Sequence, residues 1–165
     1  MIFLAIKCLC FLLCCLIVLV GCTGKSALTA YHVFQRIKDK IDIPSCEIYT
    51  YSRDMSQNSL LIRLYSYDEN AIPPAIAFCD DYLICLYHGN ELWELHIFRT
   101  VSVYDNKRIC EMLMSRRDIL QHSENYGFFS ESTQKRVMSA DVFTFQNFVV
   151  LAITDDNRQI RKLLK

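Results

Sequence analysis

The sequence predicts an α+β fold of two layers, a mainly antiparallel sheet packed against helices. Three observations lead there. Apolar, aromatic and β-branched runs at 75–79, 82–88 and 91–99 are separated by Asp80-Asp81 and Gly89-Asn90, residue pairs that make two-residue hairpin turns. A second hairpin reads from 141–145 and 148–154 about Gln146-Asn147. Helical periodicity is confined to segments apart from these strands. With only four Gly and three Pro against 10 Phe and 9 Tyr, the chain can bury enough apolar area to offset its conformational entropy.

The elements follow in order. Leu28, Tyr31, Val33, Phe34, Ile37 and Ile41 recur largely at three and four residues, so 27–41 is an amphipathic helix that Pro44 stops. Residues 46–51 alternate as a short strand, and 59–67 supports a further helical turn or two. Pro73-Pro74 punctuates the chain before the three runs, which form a meander. With Gly89-Asn90 as a tight turn, His88 faces Glu91, Leu86 faces Trp93, Ile84 faces Leu95 and Tyr82 faces Ile97 on the core side. The other side then holds Leu83, Cys85, Tyr87, Leu92, Glu94, His96 and Phe98, apolar enough to need partial cover. Asp105 caps a long helix through about His122, with Ile109, Met112, Leu113, Arg116 and Leu120 along one stripe. Residues 127–132 read as a loop and 133–139 as a short helix. Asp155-Asp156 opens a closing helix whose Ile160, Leu163 and Leu164 face inward.

The first 22 residues have a different character. From Cys8 to Val20 the chain runs thirteen residues without a charge, the length of a signal-peptide apolar region and short of the roughly 20 that span a bilayer. The run ends Leu19-Val20-Gly21-Cys22, which resembles the bacterial lipobox. There a small residue precedes a cysteine whose thiol is alkylated to a diacylglycerol thioether. Two acyl chains give durable anchoring where one binds marginally. The expected organisation is a lipoprotein signal peptide at 1–21, a tether at 22–26 bearing lipid on Cys22, and a single α+β domain at 27–165. The alternative is an uncleaved signal anchor, although the lone Lys7 makes a small positive region and Lys25 blunts the orientation bias.

Composition excludes some partners. The whole chain balances 18 basic against 18 acidic residues, and loss of Lys7 with the leader leaves 17 against 18. Nothing attracts nucleic acid over long range. Five of the nine cysteines lie in the first 22 residues, leaving Cys46, Cys79, Cys85 and Cys110. Their spacing offers no CxxC pair and no Cys/His zinc pattern, so no metal and no cofactor is expected. Three disulfide pairings are open, and free thiols are the expectation.

The runs Glu94-Leu95-His96-Ile97-Phe98-Arg99, then 109–117 (ICEMLMSRR), then 148–156 (FVVLAITDD) look like a strand, an arginine-bearing helix and a closing hairpin with its helix cap. In these the stretch from about Asp54 onward resembles a family of uncharacterised, mainly clostridial lipoproteins, the domain of unknown function 4358 type. The resemblance implies export and lipid anchoring. It implies no catalytic residue.

The sharpest chemical constellation is Cys85, Glu94 and His96, which the tight-turn register places on one sheet face. Thiol, carboxylate and imidazole are the parts of a cysteine nucleophile site. The competing reading is a buried thiol beside a partly exposed Glu and His. Arg116 and Arg117 with Lys107 and Arg108 could form a basic strip, but interleaved Glu111 and Asp118 favour a solvated helix face. Trp93 could line a ligand groove, and His32 and His122 read as surface residues. The expectation is a lipid-anchored protein on the extracytoplasmic face of the bacterial membrane, binding an envelope protein or cell-wall partner without catalysis. Its rivals are an exported thiol enzyme using Cys85, His96 and Glu94, and a small-ligand module with an aromatic pocket near Trp93.

Overall fold

The computed structural model describes residues 28–51, 58–65, 71–87, 89, 91–122 and 127–165. The expected leader, Cys22 and the tether lie outside the described residues. The element order is α1 (Ala30–Lys38), β1 (Cys46–Thr50), α2 (Asn58–Tyr65), a 3₁₀ turn (Pro74–Phe78), β2 (Cys79–Tyr87), β3 (Glu94–Thr100), a second 3₁₀ turn (Val103–Asp105), α3 (Asn106–His122), α4 (Glu131–Met138), β4 (Asp141–Phe145), β5 (Phe148–Ile153) and α5 (Asn157–Leu164). The five strands form one antiparallel sheet in the order β1-β2-β3-β5-β4, as an α+β fold requires.

Helices cover both faces of this sheet, so the expected two layers are three. One face presents Tyr82, Ile84, Leu86, Phe98, Val149, Leu151 and Ile153 to α2, α3 and Val137 of α4. The other presents Leu83, Cys85, Leu95, Ile97, Val150 and Ala152 to α1 and α5. Strands β2, β3 and β5 are largely buried on both sides, and a sheet of that pattern has no face to leave in water. Fully burying Val33, Phe34 and Ile37 of α1 is worth about 1.5–3 kcal/mol for each side chain.

Two expectations about the meander are corrected. Residues 75–79 are not its first strand. Pro74, with its fixed φ and missing N–H, starts a 3₁₀ turn there, and β1 occupies the place beside β2. Asp80-Asp81 is likewise no hairpin turn, because β2 runs through it with only a register irregularity. Asp80 instead accepts from Arg99 Nε at 2.7 Å, and Asp81 accepts from the Ala30 N–H at 2.7 Å.

Pairing of β2 with β3 is offset by one residue from the tight-turn expectation. Ile84 lies opposite His96, Leu83 opposite Ile97 and Cys85 opposite Leu95. Tyr87 N donates to Trp93 O at 3.1 Å, so the link between that pair holds five residues, an odd number, where a two-residue turn is even. A shift of one residue moves every side chain of one strand to the opposite face relative to its partner.

The helix ends have local causes. Thr29 and His32 form a reciprocal cap on α1, with the Thr29 hydroxyl accepting from His32 N at 3.2 Å and His32 Nδ1 accepting from Thr29 N at 3.2 Å. At α5 the side chain of Asp156 makes no capping hydrogen bond to the first turn. The buried Asn157 turns back to accept from Thr154 N at 2.9 Å and donates to Ser139 O at 2.8 Å. The β4–β5 hairpin turns at Gln146-Asn147 as expected, with Gln146 at φ 53°.

Candidate functional site

The offset register decides the chemistry of the sheet. Glu94 and His96 share a face with Ile84, beneath α2 and α3, whereas Cys85 sits on the opposite face among Leu83, Leu95 and Ile97. The three residues of the expected thiol site are all buried, at 0 % exposure for Cys85 and His96 and 3 % for Glu94. The sheet itself separates the thiol from the other two. Burial pushes the Cys85 thiol far up, away from the thiolate a nucleophile needs. Its sulfur neighbour is Cys46 on β1, and Cys46, Cys79, Cys85 and Cys110 carry free thiols in the structure.

Glu94 and His96 join two residues that the sequence reading had not placed with them. Arg116 Nη2 donates to Glu94 Oε1 at 2.6 Å, with Nε 3.4 Å from Oε2. His96 Nε2 lies 3.0 Å from Glu94 Oε2 without an aligned hydrogen bond. The Tyr65 hydroxyl meets His96 Nδ1, and the two rings cross edge to face at 5.8 Å. Burial raises the Tyr65 phenol well above its usual value, so it keeps its proton. Burial also lowers His96, against the pull of Glu94, and with Nε2 facing the Glu94 carboxylate the proton of the neutral ring belongs there, which leaves Nδ1 to accept from Tyr65. For Glu94 burial pushes upward, yet Arg116 and His96 outweigh it and hold the carboxyl at about 2.

This cluster ties α2, β3 and α3 together with one buried positive and one buried negative charge. A general acid or base works best with its pKa near the working pH. Glu94 and His96 are buried, and their partners Arg116 and Tyr65 come from the two covering helices, so the cluster reads as a clamp. The clue to Arg116 was its place on the helix stripe with Ile109, Met112, Leu113 and Leu120: a cation on a buried stripe needs a buried anion. Arg117, by contrast, pairs with neighbouring Asp118 at 2.8 Å and Lys107 approaches Glu111 at 4.0 Å, both near the surface. The basic strip is thereby divided, with Arg116 turned inward.

Tyr65 also borders a cleft of about 460 Å³ between the Pro73-Pro74 segment and α3, lined by Ile72, Pro74, Arg108 and Met112 among others. Arg108 lies over the Phe78 ring at 3.9 Å beside it. Trp93 is not part of this cleft. It is buried with the α1 and α5 side of the core. His32 and His122 are exposed, His32 in its cap and His122 with Nδ1 2.8 Å from Asp118 O. Among the described residues no cluster of His, Cys, Asp and Glu could hold a metal, and no helix is long and apolar enough to cross a membrane.

No protein-family model, curated protein or solved structure matches this chain.

Proposed function

We propose that the protein is a lipid-anchored module on the extracytoplasmic face of a bacterial membrane, binding an envelope or cell-wall partner without using Cys85 as a nucleophile. The anchor half rests on the thirteen-residue uncharged run from Cys8 to Val20 and the Gly21-Cys22 that follows it. The binding half rests chiefly on one observation: Cys85 and the Glu94–His96 pair lie on opposite faces of the sheet, so the parts of a thiol enzyme are not assembled.

Labelling cells with a radioactive fatty acid, beside a Cys22→Ala variant, followed by crosslinking on the membrane, tests both halves. The expected result is label on the native chain, none on the variant, and a discrete crosslinked partner. Label retained by Cys22→Ala overturns the anchor site, and turnover of a thioester or peptide substrate that Cys85→Ala abolishes overturns the binding reading. A second reading, a small apolar ligand, is favoured by the cleft beside Tyr65 rather than by Trp93. It predicts that Ile72→Asp weakens binding of an apolar dye.

A further inference from the structure

Leu28, the first described residue, is fixed at the end of the sheet where β2 begins and β3 ends. Arg99 Nη1 donates to Leu28 O at 2.9 Å, and the Ala30 N–H reaches Asp81 at 2.7 Å. Cys22 precedes Leu28 by six residues, which reach at most about 20 Å when fully extended. A lipid on Cys22 therefore holds the bilayer within that distance of this end.

The same end presents apolar side chains to solvent. The link from β3 to α3 exposes Val101, Val103 and Tyr104, the last at 91 %. It is built as a fixed turn: Val101 N donates to Phe78 O at 3.0 Å, and Ser102 caps the 3₁₀ turn by accepting from Tyr104 N at 3.3 Å. Tyr31, in the first turn of α1, is 52 % exposed. The cations nearby are matched by acids, since Arg99 pairs with Asp80, Lys107 approaches Glu111, and Asp81 and Asp105 add negative charge. The patch is suited to the headgroup–acyl boundary, where tyrosine and short apolar side chains are at home, more than to an anionic surface.

We propose that residues 101–104 are a membrane-contact edge, with Val101, Val103 and Tyr104 dipping into the bilayer that holds the lipid of Cys22. This inference rests on the anchor reading above. The acyl chains supply the attachment and the edge sets the orientation. The β2–β3 link and α4, where Arg136 joins Glu91 at 2.5 Å and Asp155 at 2.9 Å, then face away from the membrane.

The full chain, with either Tyr104→Trp or Phe128→Trp, is placed in phosphatidylcholine vesicles with and without brominated acyl chains, and its intact mass reports on Cys22. Phe128 is an equally open control, 87 % exposed just before α4 at the far end, and the native Trp93 is buried in the core. The expected result is that brominated lipid removes most of the emission added at 104 and leaves that at 128. Equal quenching at both positions, or none at 104, with lipid on Cys22 overturns the contact edge and leaves the anchor standing. An emission at 104 that shifts to the blue with protein concentration and ignores brominated lipid assigns the patch to a second copy of the chain, and also overturns it. An unmodified Cys22 on a protein that stays off the vesicles overturns both.

Discussion

The two faces of the sheet solve the same burial problem in opposite ways. Along β3 the residues alternate Glu94, Leu95, His96, Ile97, so one strand feeds both solutions. Beneath α1 and α5 the face is dry and apolar, with Leu95, Ile97, Val150 and Ala152 against Val33, Phe34, Ile37 and Ile160. Beneath α2 and α3 the apolar contacts surround a charged clamp, Glu94 with Arg116 and His96 with Tyr65. The dry face tolerates change in proportion to volume lost, whereas the clamped face depends on every partner being present.

Removing one charge of the clamp gives the largest expected effect. Arg116→Met leaves the buried Glu94 carboxylate without its cation, and should cost about 3–5 kcal/mol in denaturant unfolding. Adding Glu94→Leu to it should recover most of that loss, because two apolar residues of similar volume need no charge compensation. A double variant no better than the single one would mean that Glu94 is not the partner of Arg116. On the dry face, Leu95→Ala should cost about 2–5 kcal/mol. Its cost should not change with pH, in contrast to the clamp.

That contrast sharpens in acid. His96 has its folded pKa below the ordinary 6.5, chiefly through burial, so below that pH the unfolded chain binds a proton the folded chain refuses. Glu94 is at about 2 folded against an ordinary 4.5, so its contribution is present above 4.5 and is lost as pH falls through about 2. Both signs agree. Stability should fall as pH drops from about 6.5 toward 2, and His96→Gln should flatten the upper part of that slope. An unchanged slope in the variant would take His96 out of the account. A smaller effect is expected for Tyr65→Phe, which leaves His96 Nδ1 without its donor and should cost about 1–3 kcal/mol.

How much of this was legible in the sequence varies by residue. The stripe Ile109, Met112, Leu113, Leu120 gave α3 and its inward face, and Gln146-Asn147 marked the β4–β5 turn, because both signals are local. The five apolar residues at 74–78 were ambiguous by periodicity, and only the position of Pro74 favours a helical turn over a strand. Register was the least legible feature. Gly89 suggested an even, two-residue turn, but pairing of Tyr87 with Trp93 depends on contacts of the whole sheet, and one residue of offset exchanged the faces. The apolar character of the second face was visible, whereas its cover by both α1 and α5 is a tertiary fact. Arg116 falls both on the inward stripe and in the basic strip that reads as a solvated face, and without the correct register it has no visible buried partner to decide between them.

The separation of Cys85 from His96 by the thickness of the sheet is tested most directly by timed alkylation at neutral pH with peptide-resolved mass spectrometry, on the native protein and on His96→Gln. Cys46 and Cys110, which are half-buried, should react first, and Cys85, fully buried with its thiol pushed up, should react slowly and at the same rate in both proteins. Rapid labelling of Cys85 that His96→Gln slows would place thiol and imidazole on one face and contradict the account.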